Sequence, residues 1–356
     1  MDYIDERLGL ISFIRSQFVD YKVPREINIF YTLGFVALTG FMIQAITGLF
    51  LLFYYIPHTD HAFGSVQRIM NDIPYGWLFR QVHVVGSNLM VAVVFLHLFS
   101  VFFMGSYKKP REFHWLVGAV MLFLVLTFCL SGYLLPWSQL SYWATTIVTN
   151  LPTAFPVIGE IVADTMRGGK SVTGITLNRF FGLHVALLPC LMSVLIALHI
   201  FLIRRTGISR PPWHERPEDI HYSGYRHANY PEGIPFYIFM IKEIYITFLY
   251  VSLIFFIIAF IPTLFLPGDA LQTADPSKTP EHIRPEWYFL APYQMLKLIP
   301  SKFLGISLQI ILLLIFFFWP FIDRSAERNI LKRPKLLTVF IVTTFLWIIL
   351  TIMGGR

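Results

Sequence analysis

Apolar and polar positions divide this chain into seven long oily runs separated by polar connectors. The runs are residues 27–56 (α1), 81–104 (α2), 113–135 (α3), 180–203 (α4), 244–266 (α5), 303–322 (α6) and 336–353 (α7), and none carries a charged side chain. A bilayer core about 30 Å thick asks for about 20 apolar residues at about 1.5 Å each, so all seven are expected to cross a membrane as helices. Ahead of them, residues 1–26 mix Leu8, Ile11, Phe13, Ile14 and Phe18 with charges. That pattern suits a short helix lying on a membrane surface, and equally a solvated leader. Asp2, Asp5, Glu6 and Arg7 interrupt any cleavable-leader pattern, so α1 is expected to direct insertion.

Basic residues set the orientation, because they stay on the cytoplasmic side of short loops. Lys108, Lys109 and Arg111 follow α2; Arg204, Arg205 and Arg210 follow α4; Arg324, Arg328, Lys332, Arg333 and Lys335 follow α6. Those three loops and the N-terminus are therefore expected inside. The loop after α1 has only Arg68, and the long loops 138–179 and 267–302 face out. Both long loops are too apolar for plain connectors and suggest the walls of a binding cavity. Composition agrees with a membrane protein: 56% of the 356 residues are hydrophobic and 14% charged. The net charge of +7 is concentrated in the inner loops, so no nucleic-acid partner is expected.

Four histidines interrupt the apolar runs. His83 and His97 lie on α2, fourteen residues apart, and His184 and His199 on α4, fifteen apart. Fourteen residues rise about 21 Å and return nearly to the same helix face. Because α2 and α4 run in the same direction, His83 is expected beside His184 near the outer face, and His97 beside His199 near the inner. Ionisable groups at membrane depth are costly and usually functional, and paired imidazoles are a common way to hold haem iron. Gly34 and Gly48 on α1, and Gly118 and Gly132 on α3, repeat the fourteen-residue period. Glycine lets another group approach the backbone closely, which would make room for two flat macrocycles. Small residues also pack membrane helices against one another, but two pairs at the histidine period favour haem. Cys129 and Cys190 sit in separate apolar runs with no CxxCH, so neither a covalent c-type haem nor a disulfide is expected.

Taken with FRQVH and HLF on α2, GYLLPW at 132–137, YWATTIVTNLP at 142–152 and PEWY at 285–288, the chain resembles cytochrome b of the cytochrome bc family over nearly its whole length. The resemblance implies an all-α membrane protein. A four-helix bundle carrying two noncovalent b haems occupies residues 1–210, and a three-helix portion with the PEWY loop occupies 211–356. Features of two branches are mixed. The fifteen-residue step, NIFYTLG and LIRRTGIS resemble the plastid type. A single fused polypeptide resembles the mitochondrial and proteobacterial type, which usually has an eighth helix. Thr32 stands where the plastid type has a cysteine for an extra covalent haem, so no thioether forms. Ser100 stands where the family commonly has an arginine near an inner haem propionate, leaving Ser106 and Trp115, with Lys108 and Arg111 nearby, as partners. Arg80 matches the residue that meets an outer propionate through charge-assisted hydrogen bonds.

The family resemblance further implies quinol oxidation at the outer face and quinone reduction at the inner face, coupled through the haems. Without the motif, Glu286 reads as a helix cap or a partner of Arg284; within PEWY it is the expected proton acceptor, since a partly buried carboxylate with a raised pKa suits proton relay. Pro285, Tyr288, Tyr133 and Ala144 would shape the same quinol pocket. Lys242 and Glu243 in MIKEIYI, with Arg204, would form the inner quinone site, though the positive-inside rule alone explains Arg204 and Lys242. Implied partners are a Rieske iron–sulfur protein, a c-type cytochrome, a second copy of the complex and membrane lipid. A prokaryotic cytoplasmic membrane follows by analogy. His58, His61, His114, His214, His221, His227 and His282, in loops or at helix ends, are given no ligand role. The alternatives are a dihaem membrane anchor of a dehydrogenase or hydrogenase, which needs neither the PEWY loop nor three added helices, and a transporter whose histidines carry protons.

Overall fold

A computed structural model describes residues 2–214, 230, 232–266, 271–281 and 283–355; His221, His227 and His282 lie outside the described residues. The seven expected membrane helices are present: Leu33–Leu52 (α1), Gly76–Phe103 (α2), Glu112–Leu134 (α3), Gly174–Thr206 (α4), Phe236–Phe260 (α5), Lys302–Phe317 (α6) and Pro334–Gly354 (α7). Six are long and apolar enough to span a bilayer by themselves, while α6 is a shorter apolar helix. The expected surface segment forms two short helices, Asp2–Leu8 and Leu10–Phe18, with Phe13 and Ile14 exposed.

Several boundaries differ from the sequence expectation, and the departures in α5, α6 and α4 have identifiable physical reasons. Helix α5 begins at Phe236 rather than at 244, taking in Lys242 and Glu243, because the lysine turns outward while the glutamate is buried. It stops before Pro262, which cannot continue a helix. The run 303–322 is broken at Phe318, with a separate turn Trp319–Ile322. Pro320 has no N–H for the carbonyl four residues earlier, on Phe316, and Trp115 Nε1 donates to that carbonyl at 2.9 Å. In α4, Leu183–Leu187 forms a π turn just ahead of Pro189, whose ring and missing N–H disturb the preceding turn.

The first four helices pack around a core that includes Met90, Val91, Leu124, Val125, Leu188 and Met192, and Tyr288 of the PEWY segment joins it. Helix α5 lies against α1 and α2 through Tyr250, Ile254, Ile257 and Ile258 beside Val36 and Val85. Helix α7 meets the end of α2, where Phe340 packs on Phe99, Phe102 and Phe103. Many apolar side chains of α6 and α7, such as Leu312, Ile341 and Phe345, face outward, as a lipid-facing surface requires.

The three basic loops meet at one end of the molecule. Lys108 Nζ lies 2.8 Å from Asp323, and Arg333 grips the same carboxylate with two bonds of 2.8 and 2.5 Å. Arg328 donates to the carbonyls of Met104 and Arg210, and Arg111 to that of Gly207. At the other end the two long loops are tied together. Gln139 donates to Lys278 O and accepts from Asp275 N, Trp143 donates to Asp275 O, and Ser138 bridges Thr273.

Candidate functional site: two imidazole pairs and an acidic outer pocket

The ring centres of His83 and His184 lie 6.4 Å apart, with planes at 71°. Two imidazoles each about 2 Å from a shared metal ion have ring centres on the order of 6 Å apart, so the pair fits one iron between them. His199 lies within electrostatic reach of His97. His83 therefore pairs with His184 and His97 with His199, which requires α2 and α4 to run in the same direction. The fifteen-residue step on α4 would rotate His199 by about one residue's turn relative to a fourteen-residue step. The π turn after Gly182 takes up that extra residue and restores the common face.

Each glycine of the spaced set abuts one of the four imidazoles. A Cβ on Gly34 would come 3.2 Å from His97 Cε1, on Gly48 3.3 Å from His83, on Gly118 3.8 Å from His199, and on Gly132 2.6 Å from His184. The glycines therefore clear space directly beside the imidazoles.

Residues just ahead of two of these glycines orient the outer pair. Thr47 Oγ1 lies 2.8 Å from His83 Nδ1 and donates its own hydrogen to Ile43 O at 2.7 Å. Ser131 Oγ lies 3.1 Å from His184 Nδ1 and 3.1 Å from Phe128 O, to which it donates. With each hydroxyl hydrogen on a carbonyl, each Nδ1–H donates to the hydroxyl oxygen, so Nε2 keeps its lone pair for a metal. Sequence reading missed Thr47 and Ser131; the signal was a hydroxyl directly preceding a periodic glycine. Ahead of Gly34 and Gly118 stand Leu33 and Val117, and the Nδ1 atoms of His97 and His199 are buried without a hydrogen-bond partner.

Arg80, buried in the first turns of α2, has no hydrogen-bond or ion-pair partner among the described residues. Such a cation needs an anion, and a haem carboxylate meets that need. Of the other expected carboxylate partners, Trp115 and Lys108 are engaged with protein, Trp115 through its single donor on Phe316 O and Lys108 on Asp323, while Arg111 donates Nε to Gly207 O. Ser106 and Ser209 share a bond of 2.7 Å, leaving one hydroxyl hydrogen for another acceptor. Ser100 donates to Phe30 O, and buried Thr32 to Ile29 O.

At the outer end Glu286 precedes the turn Trp287–Phe289, and its carbonyl accepts from Phe289 N. Burial pushes its carboxyl up to about 7. Arg284, the alternative partner, donates to Gly355 O. Glu286 is within electrostatic reach of Tyr133, Tyr288 and Cys129, so the structure brings those four together. Pro285 is half-buried beside them, and Ala144 is half-buried on the short helix Gln139–Asn150 that forms an outer wall. Two neighbours escaped the sequence reading: Cys129, one turn before Tyr133, and Asn88, whose Oδ1 accepts from Trp287 Nε1 at 3.0 Å.

At the inner end Glu243 is 6% exposed, its Oε2 has no hydrogen-bond partner, and Arg204 lies within electrostatic reach. Arg204 donates to Gln17 O and stacks on Tyr21 and Phe236. Lys242, next to Glu243, is exposed. His58 and His61 lie side by side with ring centres 5.3 Å apart and planes at 36°, and His214 lies beside Trp213.

The chain is similar to known proteins over its whole length. Residues 18–207 match the family described as cytochrome b/b6/petB, and residues 273–356 match cytochrome b(C-terminal)/b6/petD. Cytochrome b of Rickettsia conorii is 36% identical over 357 residues, spanning 100% of this chain and 86% of that protein. Cytochrome b of Rhodospirillum rubrum is 36% identical over 351 residues, spanning 98% of this chain and 82% of that protein. A solved structure described as a hyperthermophilic respiratory Complex III superposes with a TM-score of 0.91 at 37% identity, covering 100% of this chain and 91% of that one. With N- and C-terminal family regions matched in order and relatives aligned along its full length, the chain belongs to the cytochrome b family.

Proposed function

We propose that this chain is the haem-carrying, quinol-oxidising subunit of a bc-type complex in a prokaryotic cytoplasmic membrane, with its N-terminus inside. The observation that carries the reading is the pair His83 and His184, 6.4 Å apart and each held by a hydroxyl that leaves Nε2 free. In this reading His83 and His184 hold an outer b haem, and His97 and His199 an inner one. Two such haems supply a one-electron path between the membrane faces. Arg80 neutralises an outer haem carboxylate.

Quinol binds in the outer pocket walled by Tyr133, Ala144, Pro285 and Tyr288. Glu286 accepts a proton from its hydroxyl and, lying in a loop rather than a membrane helix, passes it to water outside. At the inner face Glu243 and Arg204 bind quinone, the carboxyl supplying a proton and the guanidinium orienting a carbonyl. Lys242, which is exposed, supplies positive charge to the surface. Oxidation outside and reduction inside together move charge and protons across the bilayer. The electron acceptor outside is a Rieske iron–sulfur protein passing electrons to a c-type cytochrome, within a dimeric assembly. Residues 1–210 form the haem unit and 211–356 the unit that completes the quinol site. A dehydrogenase or hydrogenase anchor is disfavoured, because it would use neither the PEWY segment nor α5–α7.

The test is quinol-driven reduction of the b haems in the purified complex. Glu286→Gln is expected to slow it on the order of 10²-fold, the usual contribution of a positioned proton acceptor, with the dithionite-reduced spectrum unchanged. An unchanged rate would overturn the assignment of Glu286.

A further inference from the structure

Asn88 lies five residues after His83 on α2, a step that turns it about 140° away from the face of that histidine. It is 6% exposed, and both ends of its amide are used. Nδ2 donates to Val84 O, the carbonyl one residue beyond His83, at 3.0 Å. Oδ1 accepts from Trp287 Nε1, also at 3.0 Å. An indole nitrogen only donates, so these partners settle which way the amide points.

An asparagine inside a membrane bundle commonly bonds a neighbouring helix and holds the two together. This one reaches instead to the PEWY segment, 199 residues along the chain. The indole of Trp287 packs on the core that includes Met90 and Val91, with ring centres 6.3 Å from Phe95 and 5.4 Å from Tyr288. Apolar contact is non-directional and does not by itself fix the angle of a ring. A buried hydrogen bond has a preferred direction and is costly to leave unmade. Trp287 opens the single turn Trp287–Phe289, directly between Glu286 and Tyr288, and Glu286 O accepts from Phe289 N at 2.8 Å. Fixing the indole therefore fixes the turn, and with it the placement of Glu286 near Tyr133 and of Tyr288 near Cys129.

We infer that Asn88 is a positioning residue of the outer quinol pocket: through the Trp287 indole it locks the PEWY turn to the helix that carries His83, so that Glu286 is held where it takes the quinol proton. This rests on the reading of Glu286 as the proton acceptor.

The experiment is the pH profile of quinol-driven b-haem reduction in the purified complex carrying the wild-type chain, Asn88→Leu, Trp287→Phe or both substitutions. Leucine keeps the shape of asparagine and removes the acceptor; phenylalanine keeps an aromatic ring and removes the donor. Each single change should lower kcat/KM about tenfold while both b haems are retained. Each should also move the acid limb down by about one unit, because the Glu286 carboxyl, raised by burial to about 7, meets more water once the turn loosens. The double variant should match the single ones, since each removes the same bond. An acid limb unmoved in Asn88→Leu, or effects that multiply in the double variant, would overturn the inference. If Asn88→Leu fails to assemble with two b haems, the same limb shift in Trp287→Phe supports the inference and an unmoved limb there overturns it. A wild-type profile with no acid limb would instead overturn the Glu286 reading itself.

Discussion

Thr47 and Ser131 each give the outer imidazoles a fixed tautomer, whereas Leu33 and Val117 leave the inner pair without that help. The four histidines were legible because a polar group inside an apolar run is conspicuous and their period is helical. Their hydroxyl partners were not, since threonine and serine in a membrane helix usually bond their own backbone, and these do that as well. Glu286 shows the same limit, because PEWY drew attention to the residue and the resemblance to Tyr133, while only the fold shows Cys129 beside it. Its carboxyl, raised by burial to about 7, predicts a pH profile. Below that pH the group is already protonated and cannot accept a quinol proton, so kcat/KM should fall about tenfold per unit on the acid side. Glu286→Gln should remove that acid limb. A wild-type rate flat from pH 5 to 8, measured with the same quinol, would contradict the assignment.

Among the elements, α4 carries the most specific geometry. A straight helix would misalign a fifteen-residue pair, and the π turn at Leu183–Leu187, ahead of Pro189, corrects it. The odd spacing was legible in the sequence, but hydrophobic period alone does not separate a π turn from a regular one. Inserting one alanine after Ser193 should therefore turn His199 about 100° away from His97 while sparing His184. The expected result is loss of the inner b signal with the outer retained; retention of both would show that alignment does not depend on this register. The break in α6 was equally hidden, because Pro320 was visible while its consequence, a freed Phe316 carbonyl taken by Trp115, depends on a helix two hundred residues away.

At the scale of the whole molecule, the three basic loops converge at one end, and the two apolar loops are tied together at the other. The charge asymmetry of the loops foretold that separation, but not the clamp it creates. Asp323, whose side chain is 4% exposed, binds Lys108 and Arg333 and accepts from Tyr107 at 2.5 Å, fastening the α2–α3 loop to the α6–α7 connection. Those bonds hold its carboxyl well below the usual range against the opposing effect of burial. A depressed folded pKa contributes stability above the unfolded value of about 4 and loses it as pH falls below that. Asp323→Asn leaves buried Lys108 and half-buried Arg333 short of a partner and should cost about 3 kcal/mol near neutral pH, lowering the thermal midpoint of the detergent-solubilised complex. An unchanged midpoint would remove the clamp from the account. The central claim, two bis-imidazole sites stacked between α2 and α4, is tested most directly by pyridine-haemochrome stoichiometry on the purified chain, compared between wild type and His97→Ala. Two extractable b haems per chain, reduced to the outer one alone by His97→Ala, is the predicted result; a single haem in the wild type, or two in the variant, would contradict it.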